Sequence, residues 1–456
     1  MADARSPTEA LVVDEIRGAP GQKIKVAIAD VDGVLRGKYV HKDKFLSAVE
    51  GGFGFCNVVF GWDSGDACYD NAAYTGWHTG YPDAQARIDL STFRRVPWDE
   101  GVPFFLADFV DGRGAPLGVC PRQLLKRVVG RAAARGLTPR VGVEYEWFNF
   151  KETPRSLAEK GHAAPEPLTP GMFGYSLLRL AQNRPYFAAL FEELAAFGVP
   201  LEGLHTETGP GVFEAAILHA DALTAGDRGV LFKTAVKEIA GRFGITPTFM
   251  ARWNAQLPGC GCHLHQSLWE GERNLFHDPA DPLGMSATFK SYLAGMMRAL
   301  PELLPFFAPT VNSYKRLVEG YWAPTRVTWG LDNRTVAFRV IPGGARATRV
   351  EVRVPGADVN AHLAVAASVA AGLWGVEQKL PLEQAPVSGN GYADQAAVRL
   401  PRTLQEAAER LDRSELAREL LGRELVEHFV RTREWEWREA QKAVTDWELK
   451  RYLEII

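Results

Sequence analysis

The sequence predicts an α+β fold in which a small, mostly β unit precedes a larger mixed one. At 456 residues and 46% hydrophobic content, the chain can bury one large core and a smaller one, and its length suits two or three domains. Residues 51–111 are rich in Gly, Asp, aromatics and short β-prone runs, with little helical periodicity. Asp111-Gly-Arg-Gly-Ala-Pro116 is the clearest boundary, and helical spacing over 121–134, with Pro121 near the first turn, follows it. The expected division is a leader at 1–22, a first domain at 23–113 and a second at 114–456.

Composition excludes several classes. Lys plus Arg 52 against Asp plus Glu 55 gives a net charge of −3, which argues against a bulk electrostatic grip on nucleic acid or an anionic membrane. Any anion must therefore be bound locally. Five cysteines, an odd number, make no disulfide framework and fit a reducing compartment. The start of the chain carries Asp3, Glu9, Asp14 and Glu15 in place of a signal peptide's basic and apolar regions, and no uninterrupted apolar window reaches about 18 residues. A cytoplasmic protein is expected, with neither membrane nor nucleic acid as partner.

In chain order, residues 1–22 read as a disordered or loosely docked leader. The segment 23–29 alternates as a half-buried strand, and Asp30-Val-Asp-Gly33 supplies turn chemistry before 34–40, so a hairpin is predicted. Gly33-Val-Leu-Arg-Gly-Lys38 looks like a phosphate loop, but it is one residue short and Tyr39 stands where a Ser or Thr would hold magnesium.

The run Val141-Gly-Val-Glu-Tyr-Glu-Trp-Phe-Asn-Phe150 is apolar, β-branched and aromatic, and reads as a buried strand. Side chains two apart share a face, so Glu144 and Glu146 project together from a segment otherwise fit for a core, where unpaired charge is expensive. A cation is expected to hold them; a half-exposed strand with a charged face is the alternative. Pro- and Gly-rich 153–174 predicts a loop or flap, and 186–197 a helix ended by Gly198. A turn at Gly209-Pro-Gly211 joins two strand-like pieces and sets Glu207 and Glu214 on opposite arms, able to face one point. Helical 220–243 and a short strand at 246–252 lead to a stretch that presents His263 and His265 on one strand face. Cys260, Cys262 and His263 lack a second Cys or His pair at zinc-site spacing. Strand-rich 327–341 carries Arg334 and Arg339, and 348–354 puts Arg349, Glu351 and Arg353 on one face. Alanine-rich 361–372 reads as a buried helix, and 401–456 as peripheral helices.

Glu144, Glu146, Glu207, Glu214 and Glu351 with one or two histidines offer oxygen-rich ligation plus imidazole, which suits magnesium or manganese rather than zinc. Arg316, Arg334, Arg339, Arg346, Arg349 and Arg353 need an anion to answer them. Divalent metals facing arginines are the hardware for phosphoryl transfer, in which metals bridge phosphate oxygens and guanidinium groups stabilise developing charge. With no Walker A motif and no GxGxxG, a nucleotide would sit on a β-scaffold.

The order and spacing of these motifs resemble the glutamine synthetase superfamily over nearly the whole chain. The matching runs are Glu144-Tyr-Glu146, Glu207-Thr-Gly-Pro-Gly-Val-Phe-Glu214, Gly261-Cys-His-Leu-His-Gln-Ser267, Asn312-Ser-Tyr-Lys-Arg316, Asn333-Arg334 to Arg339, and Arg349-Val-Glu-Val-Arg353. The resemblance implies a small N-terminal β-grasp domain and a large α/β catalytic domain with a curved antiparallel sheet. It also implies a funnel-shaped site for ATP and two or more Mg2+ or Mn2+ ions, between subunits of a homo-oligomeric ring, a dodecamer of two hexamers. Carried over by motif, Glu146, Glu207 and Glu214 would hold one metal, and Glu144, His263 and Glu351 the other. Arg334, Arg339, Arg346 and Arg349 would meet ATP phosphates, with His265 and Ser267 lining the nucleotide pocket. Gly259, Arg316, Glu146 and Arg353 would meet glutamate, and Arg334, Arg339 and Arg353 would serve the reacting groups.

The departures bear on the substrate. Ammonia-using members carry a glutamate in a Gly-Tyr-Glu-Ala-Pro type of run, which helps bind and deprotonate ammonium; here the run is Gly320-Tyr-Trp-Ala-Pro324. A Trp takes no proton, but it can line an apolar or cation–π subsite for an organic amine. Val212 replaces the Gln of the family's Gly-Gln pair, and Pro258 the Asn of its glutamate loop. Asp63, in Gly61-Trp-Asp-Ser64, is the expected amine contact, reaching in from a neighbouring subunit. Both Asp30-Val-Asp-Gly-Val-Leu-Arg-Gly-Lys38 and Trp329-Gly-Leu-Asp-Asn-Arg-Thr-Val-Ala337 resemble the γ-glutamylpolyamine and γ-glutamylamide synthetase branch. The expected activity is an ATP-dependent ligation of the glutamate γ-carboxylate to an organic amine, a polyamine or a monoamine, through a γ-glutamyl phosphate. An ammonia-using glutamine synthetase and a non-catalytic sensing or structural homologue are the alternatives.

Overall fold

The computed structural model describes residues 6–456. The predicted hairpin forms: β1 (Lys23–Ala29) pairs antiparallel with β2 (Leu35–His41). With β3 (Phe53–Cys56), β4 (Asp83–Val96) and β5 (Val102–Val110) they make one sheet in the order β2-β1-β5-β4-β3, in which β1 and β5 run parallel. The helix Lys42–Gly51 crosses from β2 and buries Phe45 and Ala48. Two hairpins joined by a helix, with first and last strands parallel at the centre, are the β-grasp arrangement.

The hairpin turn also ties the sheet to the rest of the molecule. Asp30 Oδ1 accepts from the N–H groups of Asp32 and Val34 at 3.0 and 2.9 Å, and Gly33 adopts φ +78°. A Cβ at Gly33 would lie 2.8 Å from Asn360 Cα, so only glycine allows this approach. Asn360 Nδ2 donates to the carbonyls of Asp30 and Val31, and buried Arg433 reaches Asp32 at 2.7 Å. On the far face, Arg122, 3% exposed, bridges Asp89 and Asp108 of the first sheet to Asp227 of the helix Ala222–Gly241 at 2.7–2.9 Å.

Three expectations are corrected here. Where a loose leader was expected, Pro7–Gly18 is a helix with a Ser6–Glu9 capping box, and it buries Val13 and Ile16. The remainder of that leader, residues 1–5, lies outside the described residues. Within 153–174, Thr153 caps a short helix, Pro154–Glu159. The C-terminal helices are not all peripheral, because Leu404–Asp412 and Arg423–Ala440 put Leu404, Leu411, Val426 and Phe429 into the main core.

The second sheet builds the site. Its strands are β6 (Thr138–Phe150), β7 (Leu201–Thr206), β8 (Val212–Ile217), β9 (Ala220–Asp221), β10 (Thr246–Thr248), β11 (Cys262–Glu270), β12 (Arg273–Asn274), β13 (Trp329–Leu331), β14 (Phe338–Ile341) and β15 (Arg349–Val352). They run β13-β14-β15-β11-β6-β8-β7, with β9 and β10 on β6 and β12 on β11; all pairs are antiparallel except β13–β14. Along β6, Val143, Tyr145 and Trp147 face the helix Ala222–Gly241, where Tyr145 stacks on Phe232 with centroids 5.5 Å apart. The buried helix Ala361–Glu377, apolar nearly all round, packs behind. Glu144 and Glu146 therefore occupy the opposite, concave face. Among the described residues no helix is long and apolar enough to cross a membrane.

Candidate active site

Strand register brings the predicted residues into one row. His263 lies opposite Glu144, His265 opposite Glu351, Arg339 opposite Glu351, and Glu146 opposite Glu214. Directly opposite residues of an antiparallel pair share a face, so five strands aim their charged side chains at one cavity. It has a volume of about 470 Å³ and is lined by all five glutamates, His263, Arg316, Arg334, Arg339 and Arg353, with Tyr321 and Trp322 among its uncharged lining.

The glutamates form two groups. In the first, His263 Nδ1 is 2.7 Å from Glu144 Oε1 and 3.5 Å from Glu351 Oε1, and His265 Nε2 is 3.6 Å from Glu144 Oε2. Glu144, His265 and Glu351 each offer a ligand atom, all within 4.8 Å of one another, so both histidines reach the group that the family resemblance gives to His263 alone. Burial raises Glu144, but hydrogen bonds from the two histidines outweigh it and hold the carboxyl well below its usual range. Burial likewise raises Glu351, and the charges of Arg353 and the histidines reverse this to about 2. Arg339 Nη1 donates to Glu351 Oε2 at 2.8 Å, and Arg353 donates to Oε1.

The second group is short of positive charge. Glu214 is pushed up to about 10 by burial and then by the charges of Glu144, Glu146 and Glu207. Glu207 is raised by burial and by Glu146, and its Oε2 is buried without a hydrogen-bond partner. Glu146 Oε2 accepts from the Gly261 N–H at 2.6 Å. An orphaned oxygen amid mutually repelling carboxylates fits a hard divalent cation, and oxygen plus imidazole donors fit magnesium or manganese. The thiols do not join in: Cys260 and Cys262 are fully buried, and burial lifts the Cys262 thiol to about 12. Cys262 also alternates with His263 along β11, so the two point to opposite faces.

Two glycines keep the floor open. At Gly259 a Cβ would fall 2.2 Å from the Ala251 carbonyl oxygen, and at Gly261 one would fall 2.7 Å from His263 Nε2. Arg316, 4% exposed, donates to the carbonyls of Val354 and Arg353 at 2.8 and 3.2 Å, which fixes its guanidinium beside Gly261.

A second cavity of about 340 Å³ meets the first at Glu144. Of the six residues expected around a nucleotide, His265, Ser267, Arg346 and Arg349 line it, whereas Arg334 and Arg339 line the first cavity. Arg349 Nε donates to His265 Nδ1 at 3.2 Å, and Trp269 Nε1 donates to Ser267 Oγ at 2.8 Å. Arg140, stacked 4.1 Å over Trp269, joins this wall.

Asp63 is the one predicted site residue that the fold leaves elsewhere. It lines neither cavity of its own chain; its Oδ1 accepts from the Gly65 and Ala67 N–H groups at 2.9 and 2.8 Å. Sequence reasoning missed His205 and Tyr175. His205 Nε2 is 3.4 Å from Glu214 Oε1, and Tyr175, at φ +55°, rests edge-on to that imidazole at 4.4 Å on the cavity lining. The alternation Leu204-His-Thr-Glu207 carried the signal for His205, whereas nothing local marks Tyr175.

The family model described as glutamine synthetase, catalytic domain, matches residues 118–452. The chain belongs to the glutamine synthetase superfamily. Ligases of this superfamily use ATP and divalent metal ions, and the chain is an ATP-dependent ligase. It is 54% identical to type-1 glutamine synthetase 2 of Dictyostelium discoideum over 98% of this chain and 87% of that protein. It is 40% identical to a γ-glutamylethanolamide synthetase of Streptomyces coelicolor, covering 94% of this chain and 92% of the other. A glutamate–isopropylamine ligase of a Pseudomonas species is 36% identical over 95% of both chains. A solved GmaS–ADP complex superposes with a TM-score of 0.84 at 29% identity, covering 97% of this chain and 99% of its own.

Proposed function

We propose that this chain joins the γ-carboxylate of glutamate to an organic amine, with ATP first converting that carboxylate to a γ-glutamyl phosphate. The observation that carries the reading is Trp322, which lines the glutamate-rich cavity where ammonia-using members carry a carboxylate base. An indole accepts no proton and offers an apolar wall instead.

The glutamate carboxylate oxygen attacks the terminal phosphorus and ADP departs; the amine nitrogen then attacks the acyl carbon and phosphate departs. His265, Ser267, Arg346 and Arg349 seat the nucleotide, and Arg316 beside Gly259 positions the amino acid. Arg339 and Arg353, already paired with Glu351, are poised to steady charge on the transferred phosphoryl group. Glu146, Glu207 and Glu214 would hold one divalent cation, and Glu144, His263 and Glu351 another, with His265 within reach of the second. Bound there, the cations supply neutralisation of the phosphate charge. The attacking amine must lose a proton, which Asp63 of a neighbouring copy in a ring-shaped oligomer would accept. The same reading divides the chain after residue 113, with the site needing both parts.

A second reading, ammonia as the nitrogen donor, draws support from the 54% identical relative named a glutamine synthetase. A non-catalytic homologue is disfavoured by the complete set of metal-ligand positions. Steady-state phosphate release with glutamate, ATP and Mg2+ or Mn2+ over an amine panel tests the proposal. Release that depends on organic amines bears it out; release with ammonium alone, or none, overturns it.

A further inference from the structure

On the reading that an organic amine is the nucleophile, its far end would meet the same cavity as its attacking nitrogen, and the charges on that lining are unevenly placed. Every carboxylate on the lining belongs to the two glutamate groups already described, so none is left to pair with a second ammonium. The remaining charged lining is cationic. Arg334 forms no ion pair among the described residues, and the Arg316 guanidinium is anchored by backbone carbonyls rather than by a carboxylate. The ring face of Tyr321, which could have held a cation, is covered by the Arg252 guanidinium at 4.2 Å. No cation sits over the Trp322 ring among the described residues, but at 57% exposure its pull on an ammonium group is weak. Thr208, Val212 and Pro258 complete a neutral wall.

We infer that the amine subsite takes a primary monoamine with a neutral alkyl or hydroxyalkyl tail, and rejects diamines and polyamines. The inference rests on the reading that an organic amine is the nucleophile. A distal amine has a solution pKa of about 10, so at neutral pH a diamine carries a second full charge into this cationic wall. An Asp63 from a neighbouring copy does not change the balance, because it is one acid for one attacking ammonium.

The test compares kcat/KM for the full-length protein with propylamine, ethanolamine, 1,3-diaminopropane, mono-N-acetyl-1,3-diaminopropane and ammonium, at fixed glutamate, ATP and Mn2+. Propylamine and ethanolamine are expected to exceed the diamine by about tenfold or more, chiefly through KM, since like-charge rejection costs that much in a partly shielded site. The acetylated diamine, longer but neutral, is expected to recover most of the loss. A diamine used as well as propylamine overturns the inference and leaves the amide-ligase reading standing. Failure of the acetylated compound together with the diamine makes the limit one of size, and also overturns it. Turnover with ammonium alone, or with no nitrogen donor, overturns the reading beneath.

Discussion

Replacing Trp322 with glutamate should exchange one nitrogen donor for another. The backbone there already stands at φ +61° with a large side chain, so Glu brings no new strain at this position. A substituent of two or three methylenes resting on a half-open indole gains about half of the roughly 0.8 kcal/mol per buried methylene, so its loss lowers kcat/KM for the organic amine by about fivefold. A carboxylate placed as a base is worth about a hundredfold at the low end, appropriate to a rim position, and this gain falls to ammonium. The ratio of organic-amine to ammonium kcat/KM should therefore fall by two to three orders of magnitude, read as phosphate release with each donor and as amide by mass spectrometry. With the native protein, rates with the organic amine should climb with pH, following the free fraction of an amine whose pKa is about 10.4. A ratio unchanged within about threefold would mean that the indole does not face the amine, and the case against ammonia would lose its main support.

Other consequences can be checked separately. Glu144→Ala or Glu351→Ala should reduce ATP turnover by about a hundredfold or more, because each removes a first ligand and leaves neighbouring charges unanswered; excess chelator should do the same to the native protein. Metal-free protein should lose thermal stability as pH rises from the unfolded carboxylate range towards 10. Glu214 is protonated in the fold up to about 10 but ionised earlier when unfolded, so the unfolded state binds fewer protons; scanning calorimetry with and without Mn2+ should show the metal cancelling this slope. Asp32→Ala should cost about 2 kcal/mol in urea unfolding, because it removes the 2.7 Å carboxylate partner of Arg433, which is 1% exposed and would keep only Glu436 at 3.4 Å as an ion-pair partner.

Most of the site was legible because it is written in strands. Period-two alternation puts Glu144 and Glu146 on one face of β6 and Arg349 and Glu351 on one face of β15, with Arg353 next in the same alternation just past the strand's end. What alternation leaves open is register, and register decides which histidine approaches which glutamate; this is why His265 approaches the first glutamate group as well as the second cavity. His205 and Tyr175 were harder to see, since one joins the site through its partner across β7–β8 and the other through a loop folded over it. The docking of the first sheet rests on Asn360, Arg433 and Arg122, which are tens to hundreds of residues from their partners and so leave no local pattern. Likewise the N-terminal helix reads as a leader until its two buried side chains find the core.

The central claim is most directly tested with glutamate labelled with 18O in the γ-carboxylate, given ATP, Mn2+ and an equimolar mixture of ammonium and propylamine. The account predicts γ-glutamylpropylamide as the main product, with one labelled oxygen appearing in phosphate for each amide formed. Glutamine as the main product, or phosphate that carries no label, would contradict it.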